Sequence, residues 1–258
     1  MLLTESNYYS LEANQKYFSA SQVKQFMKCP AVAMAEIRGE YVRPVTSALQ
    51  IGSYVDAHFS GTLEQFRSEH PELFKRDGTL KSEFIRAEQM CKRAERDSFF
   101  MKHMRGDKQT ILTGNICGVP FKAKPDVLLA GERIVDLKTV KDFSPQYKPG
   151  AGKVSFIEAW MYDLQMAIYQ RLEGHNLPCY IAAITKEPTP DIAIIQMPQH
   201  YMDAAMNILE GSISYFDAIK RGDIEADGCG SCDWCKATKV LNRVQTIEEF
   251  EMEDYSIE

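Results

Sequence analysis

The spacing of apolar residues predicts that about the first hundred residues are mainly helical. A capping-box pattern at residues 19–22 is followed by apolar residues at helical spacing, which predicts a helix from about residue 20 to Pro30. The same spacing predicts a helix at about residues 51–60 and a longer, more charged helix at residues 81–104.

The pattern then changes to short runs that favour strands. There are three such runs, at residues 110–116, 119–129 and 133–140, and turn signals separate them at residues 117–118 and 130–132. This pattern predicts a meander of three strands.

Helical spacing returns in the second half of the chain. It predicts a helix at about residues 155–172, two strands on either side of the turn at residues 188–190, and a helix at about residues 199–221. No repeat or low-complexity linker interrupts the sequence. We therefore expect residues 1–245 to form one mixed α/β domain with a cysteine-rich C-terminal end.

Composition narrows the class of protein. The chain has 258 residues, of which 45% are hydrophobic and 26% charged, as in a globular protein with a sizeable core. It contains no run of about 18 apolar residues, as a membrane helix requires, and its N-terminus lacks the pattern of a secretion signal. We expect a cytoplasmic protein.

The negative charge is concentrated at the C-terminus. The net charge is −6, and residues 246–258 carry six acids and no base, so the rest of the chain balances 30 bases against 30 acids. We interpret residues 246–258 as an acidic tail. The zero net charge of residues 1–245 neither indicates nor excludes nucleic-acid binding.

Two aspartates and a lysine in the β-rich region are candidates for chemistry. Asp136 and Lys138 are two residues apart in a strand and so share a face, and a tight turn near Gly131 would bring Asp126 beside Asp136. Two carboxylates can hold Mg²⁺ or Mn²⁺, while the ammonium orients or deprotonates a water or stabilises charge on a phosphate. The alternative is a turn residue and an ordinary ion pair. The apolar neighbours of Asp136 favour a paired or metal-bound carboxylate.

This arrangement resembles the PD-(D/E)XK nuclease superfamily, in its RecB-like and RecE-like exonuclease branch. A histidine motif at residues 52–58 and a Gln165-x-x-x-Tyr169 motif stand in the corresponding order along the chain. The resemblance implies that His58 is a further metal ligand, and that Gln165 and Tyr169 are the characteristic pair of this branch. Without that context, the histidine would be read as a surface or core residue and the pair as the polar side of an amphipathic helix.

The resemblance also implies the fold and partners. The expected fold is an α/β restriction-endonuclease-like core with a mixed central sheet flanked by helices, a helical N-terminal part and a cysteine-rich C-terminal end. The expected activity is Mg²⁺-dependent exonuclease digestion of linear DNA in phage or prophage recombination. A single-strand annealing recombinase as partner and a homo-oligomer are further implications, and no membrane association is expected.

Three alternatives to this function remain. They are a CRISPR-associated exonuclease of the same fold, a non-catalytic DNA-binding module, and a metal-storage or redox protein.

Seven cysteines in a chain without a secretion signal argue against a disulfide framework. Cys229, Cys232 and Cys235 form a C-x-x-C-x-x-C motif, which is one thiolate short of a closed zinc or cubane iron–sulfur site. Cys29 resembles the N-terminal cysteine of the iron–sulfur nucleases in this superfamily, which implies that it is the fourth ligand. The short gaps favour a 4Fe–4S cluster, with zinc or a bare thiol cluster as alternatives. The other three, Cys91, Cys117 and Cys179, are interpreted as buried packing residues.

Overall fold

A computed structural model describes residues 1–148 and 150–248 of the chain. The helices in this part are α1 (Leu11–Lys16), α2 (Ala20–Lys28), α3 (Pro30–Arg38), α4 (Ser47–Ser60), α5 (Leu63–Glu69), α6 (Ser82–Glu95), α7 (Ser98–His103), α8 (Phe156–Ala159), α9 (Tyr162–Glu173), α10 (Gln199–Arg221) and α11 (Asp233–Thr238), with a 3-10 helix at Pro71–Leu73. The strands are β1 (Asp107–Lys108), β2 (Leu112–Ile116), β3 (Val119–Ala123), β4 (Val127–Leu129), β5 (Arg133–Val140), β6 (Gln146–Lys148), β7 (Gly152–Val154), β8 (Cys179–Thr185) and β9 (Ile192–Gln196).

A five-stranded mixed sheet lies at the centre of the fold. Its strand order is β1-β4-β5-β8-β9, in which β5 pairs in parallel with β8 and the other neighbours are antiparallel. Side chains of β5 alternate between two apolar clusters, with Ile134 and Val140 in one and Val135 and Leu137 in the other. Helices α2, α3, α9 and α10 contribute to the first cluster and helices α4, α6 and α7 to the second. The predicted mixed α/β sheet flanked by helices is confirmed.

The predicted three-stranded meander is wrong. Pro125 interrupts the run at residues 119–129, since proline has no N–H to donate to a neighbouring strand. Before this point β3 pairs with β2 in a separate two-stranded sheet, and after it β4 pairs with β1 and β5 in the central sheet. The break leaves Asp126 between β3 and β4, at the margin of the central sheet.

The predicted helix at residues 155–172 is also divided. Met161 has a left-handed backbone conformation, with φ of 49°, and separates the single turn of α8 from α9. Trp160 lies in this break and is 52% exposed. The predicted helix at 81–104 likewise divides into α6 and α7, because Asp97 caps a new helix by accepting a hydrogen bond from the Phe100 backbone N–H at 2.8 Å.

Other predicted elements are confirmed, among them α2, β5 and α10. In the described part of the chain no helix is both long and apolar enough to cross a membrane. Of the predicted acidic tail, residues 249–258 lie outside the described residues.

Candidate active site

The hairpin of β4 and β5 brings two buried aspartates together. Val127 pairs with Val135, and extending that antiparallel register by one residue places Asp126 opposite Asp136. The Asp126 carboxylate is held in place because its Oδ2 accepts a hydrogen bond from the backbone N–H of Leu137 at 2.6 Å. The juxtaposition expected from the turn at Gly131 is therefore present.

A third carboxylate, Asp56 of α4, joins this pair and was missed in the sequence analysis. The side-chain amide of Gln109 donates to Asp56 Oδ1 at 3.2 Å and to Asp126 Oδ1 at 2.9 Å, so one residue connects the two carboxylates. Burial, followed by the negative charge of Asp136, raises the pKa of Asp56 and raises the pKa of Asp126 well above its ordinary value. The cluster therefore carries more negative charge than its surroundings compensate.

Lys138 is the cation closest to this cluster in the described structure. Its Nζ contacts Asp136 Oδ2, and Asp136 is only 1% exposed. Burial alone would lower the pKa of Lys138, but the charges of Asp136 and Asp126 outweigh it and raise the pKa above its ordinary value. In the metal-free state Lys138 is thus a charged hydrogen-bond donor.

Gln165 of α9 orients Asp136. Its Nε2 lies 3.2 Å from both carboxylate oxygens of Asp136 and 2.8 Å from the hydroxyl of Tyr169, and its Oε1 accepts a hydrogen bond from Lys24 at 3.1 Å. Tyr169 is one helical turn further along α9 and is 7% exposed. The Gln165 and Tyr169 pair therefore lies at the carboxylates, as the motif indicated. Lys24, which comes from α2, could not be found from the sequence because 141 residues separate it from Gln165.

The structure places His58 away from this cluster. Its Nε2 is 2.7 Å from Glu95 of α6, and it does not line the cavity that the carboxylates line. Residues two apart on a helix point about 200° apart, so Asp56 and His58 cannot both face the same site. Here Asp56 faces it, together with Gly52 one turn earlier. The structure thus brings Asp56, and not His58, to the carboxylates, and the spacing of four residues from Gly52 to Asp56 was the signal available in the sequence.

The three carboxylates, Lys138, Gln165 and Tyr169 line one open cavity of about 380 Å³. Buried carboxylate oxygens beside space for water are the ligand set that Mg²⁺ and Mn²⁺ prefer. Burial, and after it the negative charge of the neighbouring carboxylates, raises the pKa values of Asp56 and Asp126, and a divalent cation would offset that repulsion. The residues present therefore fit a divalent metal ion.

A second candidate metal centre joins the two ends of the fold. The thiols of Cys29, Cys229, Cys232 and Cys235 all lie within 4.8 Å of one another. Cys29 stands between α2 and α3, and its Sγ is 3.6 Å from that of Cys235 and 3.9 Å from that of Cys232. The four cysteines predicted as ligands are thus brought together.

The expected separation between the sulfurs differs between the candidate metal centres. With Zn–S bonds of about 2.3 Å, a tetrahedral zinc site separates its sulfurs by about 3.8 Å. In a cubane each thiolate binds a different corner iron, which separates the sulfurs by about 6 Å. The four sulfurs, which all lie within 4.8 Å of one another, are close enough to share one tetrahedral ion.

The remaining cysteines lie outside this cluster. Cys91 and Cys179 are buried, as expected, but Cys117 is exposed, because it lies in the turn between β2 and β3 with a positive φ of 51°. The interpretation of Cys117 as a buried packing residue was wrong.

Comparisons with known proteins give the family. Residues 19–238 match the family described as "PDDEXK-like domain of unknown function (DUF3799)". A crystal structure of a protein from Eubacterium rectale named "Putative exonuclease" is 38% identical, covers 97% of this chain and 98% of its own, and has a TM-score of 0.93. A crystal structure of SSO0001 covers 75% of this chain and 85% of its own at 11% identity, with a TM-score of 0.30, which is too low to indicate a shared fold. The search of curated proteins found no match.

The family match spans both the carboxylate cluster and the four cysteines. The central mixed sheet, with one acid just before β4 and its pair on β5, is the restriction-endonuclease-like arrangement that the sequence predicted. The chain therefore belongs to the PDDEXK-like domain family and, through it, to the PD-(D/E)XK nuclease superfamily.

Proposed function

We propose that this chain is a metal-dependent DNA exonuclease that hydrolyses phosphodiester bonds of linear DNA. The convergence of Asp56, Asp126 and Asp136 with Lys138 in one cavity carries this proposal. The similarity to the exonuclease-named protein from Eubacterium rectale supports digestion from an end. A non-catalytic DNA-binding module would have no need of three buried carboxylates that repel phosphate.

The side chains at the site have different roles in the proposed hydrolysis. Asp56, Asp126 and Asp136 would hold Mg²⁺ or Mn²⁺, which supplies a polarised phosphate and a bound water of lowered pKa. Gln165 holds both oxygens of Asp136 and so fixes the direction of that ligand. Lys138 presents a charged N–H to negative charge that develops on the phosphate oxygens.

The biological setting is part of the same proposal. Family resemblance supports phage or prophage recombination, with a single-strand annealing recombinase as partner and a homo-oligomer as the active form. The family match from residue 19 to residue 238 supports a single nuclease domain within residues 1–245.

The four cysteines form a structural centre in this proposal, and their sulfur separations favour one zinc ion over the 4Fe–4S cluster that the resemblance implied. Cys29 and Cys229 are 200 residues apart, so a shared ion restricts the unfolded chain and joins α2 to the C-terminal cysteines.

The activity is tested by incubating the purified chain with end-labelled linear duplex DNA and with covalently closed circular DNA. We expect Mg²⁺-dependent release of mononucleotides or short oligonucleotides from the linear substrate, no loss of the circle, and no reaction in EDTA. Cutting of the closed circle would contradict exonuclease action, and equal cutting in EDTA would contradict metal dependence.

The assignment of Asp56 in place of His58 gives a paired prediction. Asp56→Asn should lower the rate of DNA hydrolysis at least about a hundredfold, because a metal-binding oxygen is lost. His58→Gln should retain near-wild-type activity, because His58 contacts Glu95 on the other side of α4. The reverse result would restore the histidine as the ligand.

Stability provides the control for this pair. Because burial and Asp136 raise the pKa of Asp56, its ionised form destabilises the metal-free fold at neutral pH. Asp56→Asn should therefore not lower the melting temperature in EDTA. A lower melting temperature would mean that the lost activity reflects a damaged fold.

Metal analysis tests the cysteine centre. The purified chain should contain one zinc ion, and Cys29→Ser should lose it as completely as Cys232→Ser, whereas Cys117→Ser should keep it, because only the first two contribute to the cluster. A brown, anaerobically prepared protein with four irons per chain, lost in Cys29→Ser, would contradict the zinc assignment and restore the iron–sulfur cluster.

A further inference from the structure

The active-site cavity continues into a second cavity on each side. Towards the N-terminal segment it shares Tyr9, Lys124 and Tyr169 with a cavity of about 280 Å³. Towards α8 it shares Leu49 and Lys186 with a cavity of about 690 Å³. Shared lining residues make the three cavities one groove, which we call the substrate groove, with the three carboxylates at its middle.

Each arm of the substrate groove is lined by an exposed aromatic ring with an ammonium beside it. Tyr9 lines the first arm, is 70% exposed, and has Lys124 Nζ 4.8 Å from its ring centroid. Trp160 lines the other arm, is 52% exposed, and has Lys28 Nζ 6.0 Å from its ring centroid. Such rings leave apolar area in contact with water, and a flat apolar ligand that carries negative charge complements both groups.

Local structure holds both rings outward. Tyr9 follows the buried Tyr8, whose ring packs edge-on against it with centroids 4.9 Å apart. Trp160 occupies the break between α8 and α9, where the left-handed backbone of Met161 ends one helix and begins the next. A continuous helix over these residues, as the apolar spacing predicted, would have no such break at Trp160.

The lysines at the two junctions of the substrate groove suit a polyanion that approaches the carboxylates from both sides. Lys124 lines the junction of the first arm with the active-site cavity, and Lys186 lines the junction with the other arm. Phosphates on either side of a bond held at the carboxylates would each meet a lysine, and a divalent cation would compensate the acids at the phosphate between them.

From these observations, and resting on the proposed function, we infer that the substrate groove binds a single DNA strand whose bases stack on Tyr9 on one side of the scissile phosphate and on Trp160 on the other. Stacking on an aromatic side chain requires an unpaired base with an open face, which the interior of a duplex does not offer. A duplex end must therefore fray before its strand occupies the groove.

Binding measured in EDTA separates this inference from catalysis. The probes are a fluorescently labelled single-stranded 12-mer, an abasic 12-mer with the same phosphates, and a duplex whose two ends are closed by hairpin loops. Tyr9→Ala and Trp160→Ala should each weaken binding of the ordinary 12-mer at least about fivefold, as expected for the loss of one base–aromatic stack. Neither change should alter binding of the abasic strand, and the closed duplex should bind more weakly than the 12-mer.

Matched variants keep this test specific. Tyr9→Phe and Trp160→Phe retain a ring and should bind the 12-mer like the wild type. Phe99→Ala removes a 62% exposed ring on α7 and should have no effect, because Phe99 lies outside the groove.

Three results would overturn the inference: equal weakening for ordinary and abasic strands, no weakening by either alanine variant, or tighter binding of the closed duplex. These results are distinguishable from failure of the proposed function. If the alanine variants bind the 12-mer more weakly but Mg²⁺ produces no cleavage, the inference about the groove is supported and the proposed nuclease function is contradicted. If linear DNA is digested and both alanine variants bind and cleave like Phe99→Ala, the nuclease proposal stands and the groove assignment falls.

Discussion

The buried negative charge on β5 is the constraint on which the rest of the site depends. Asp136 lies in a central strand that has a hydrogen-bonded neighbour on each side, is almost fully buried and lines the active-site cavity. An isolated buried carboxylate is costly, and this one is compensated by Lys138 on its own strand and by Gln165 on α9. Asp56 and Asp126 add charge that these two partners do not compensate. A site that is unfavourable when empty and favourable around a divalent cation follows from this arrangement.

Helix α2 connects this site to the cysteine cluster. Phe26 fixes the helix in the core between Phe18 and Phe216, with ring centroids 5.5 Å and 5.4 Å away. One face of α2 supplies Lys24 to Gln165, and the helix ends at Cys29, a member of the cluster. A metal ion held by the four cysteines would therefore fix the far end of a helix whose middle orients Gln165, and through it Asp136. Such an ion would therefore have a structural role that reaches the carboxylates through α2.

Features set by neighbouring residues could be predicted from the sequence. The placement of Asp126 beside Asp136 depends on a short turn at Gly131 and on the alternation of side chains along a strand, and both can be recognised in the amino-acid sequence. The position of Gln165 and Tyr169 on one helical face follows from their spacing. The cysteine set was identified through family resemblance, because proximity of Cys29 to residues 229–235 is a tertiary contact.

The failures have equally specific causes. The family resemblance points to His58, whereas Asp56 is the residue of α4 that lines the cavity, because residues two apart on a helix point about 200° apart. The prediction of a three-stranded meander was wrong because Pro125 separates two sheets. The prediction of one helix at residues 155–172 was wrong because Met161 has a left-handed backbone, which residue propensities do not indicate. Gln109 and Lys24 contact the cluster across the fold, so no local pattern marks them.

We propose that one divalent cation binds among three carboxylates, which come from α4, from the residue just before β4 and from β5. A crystal structure of the chain grown with Mn²⁺ and recorded with anomalous scattering would locate this cation. We expect an anomalous peak coordinated by side-chain oxygens of Asp56, Asp126 and Asp136 within the active-site cavity. A peak bound by His58, or a fully ordered cavity without manganese at a saturating concentration, would contradict it.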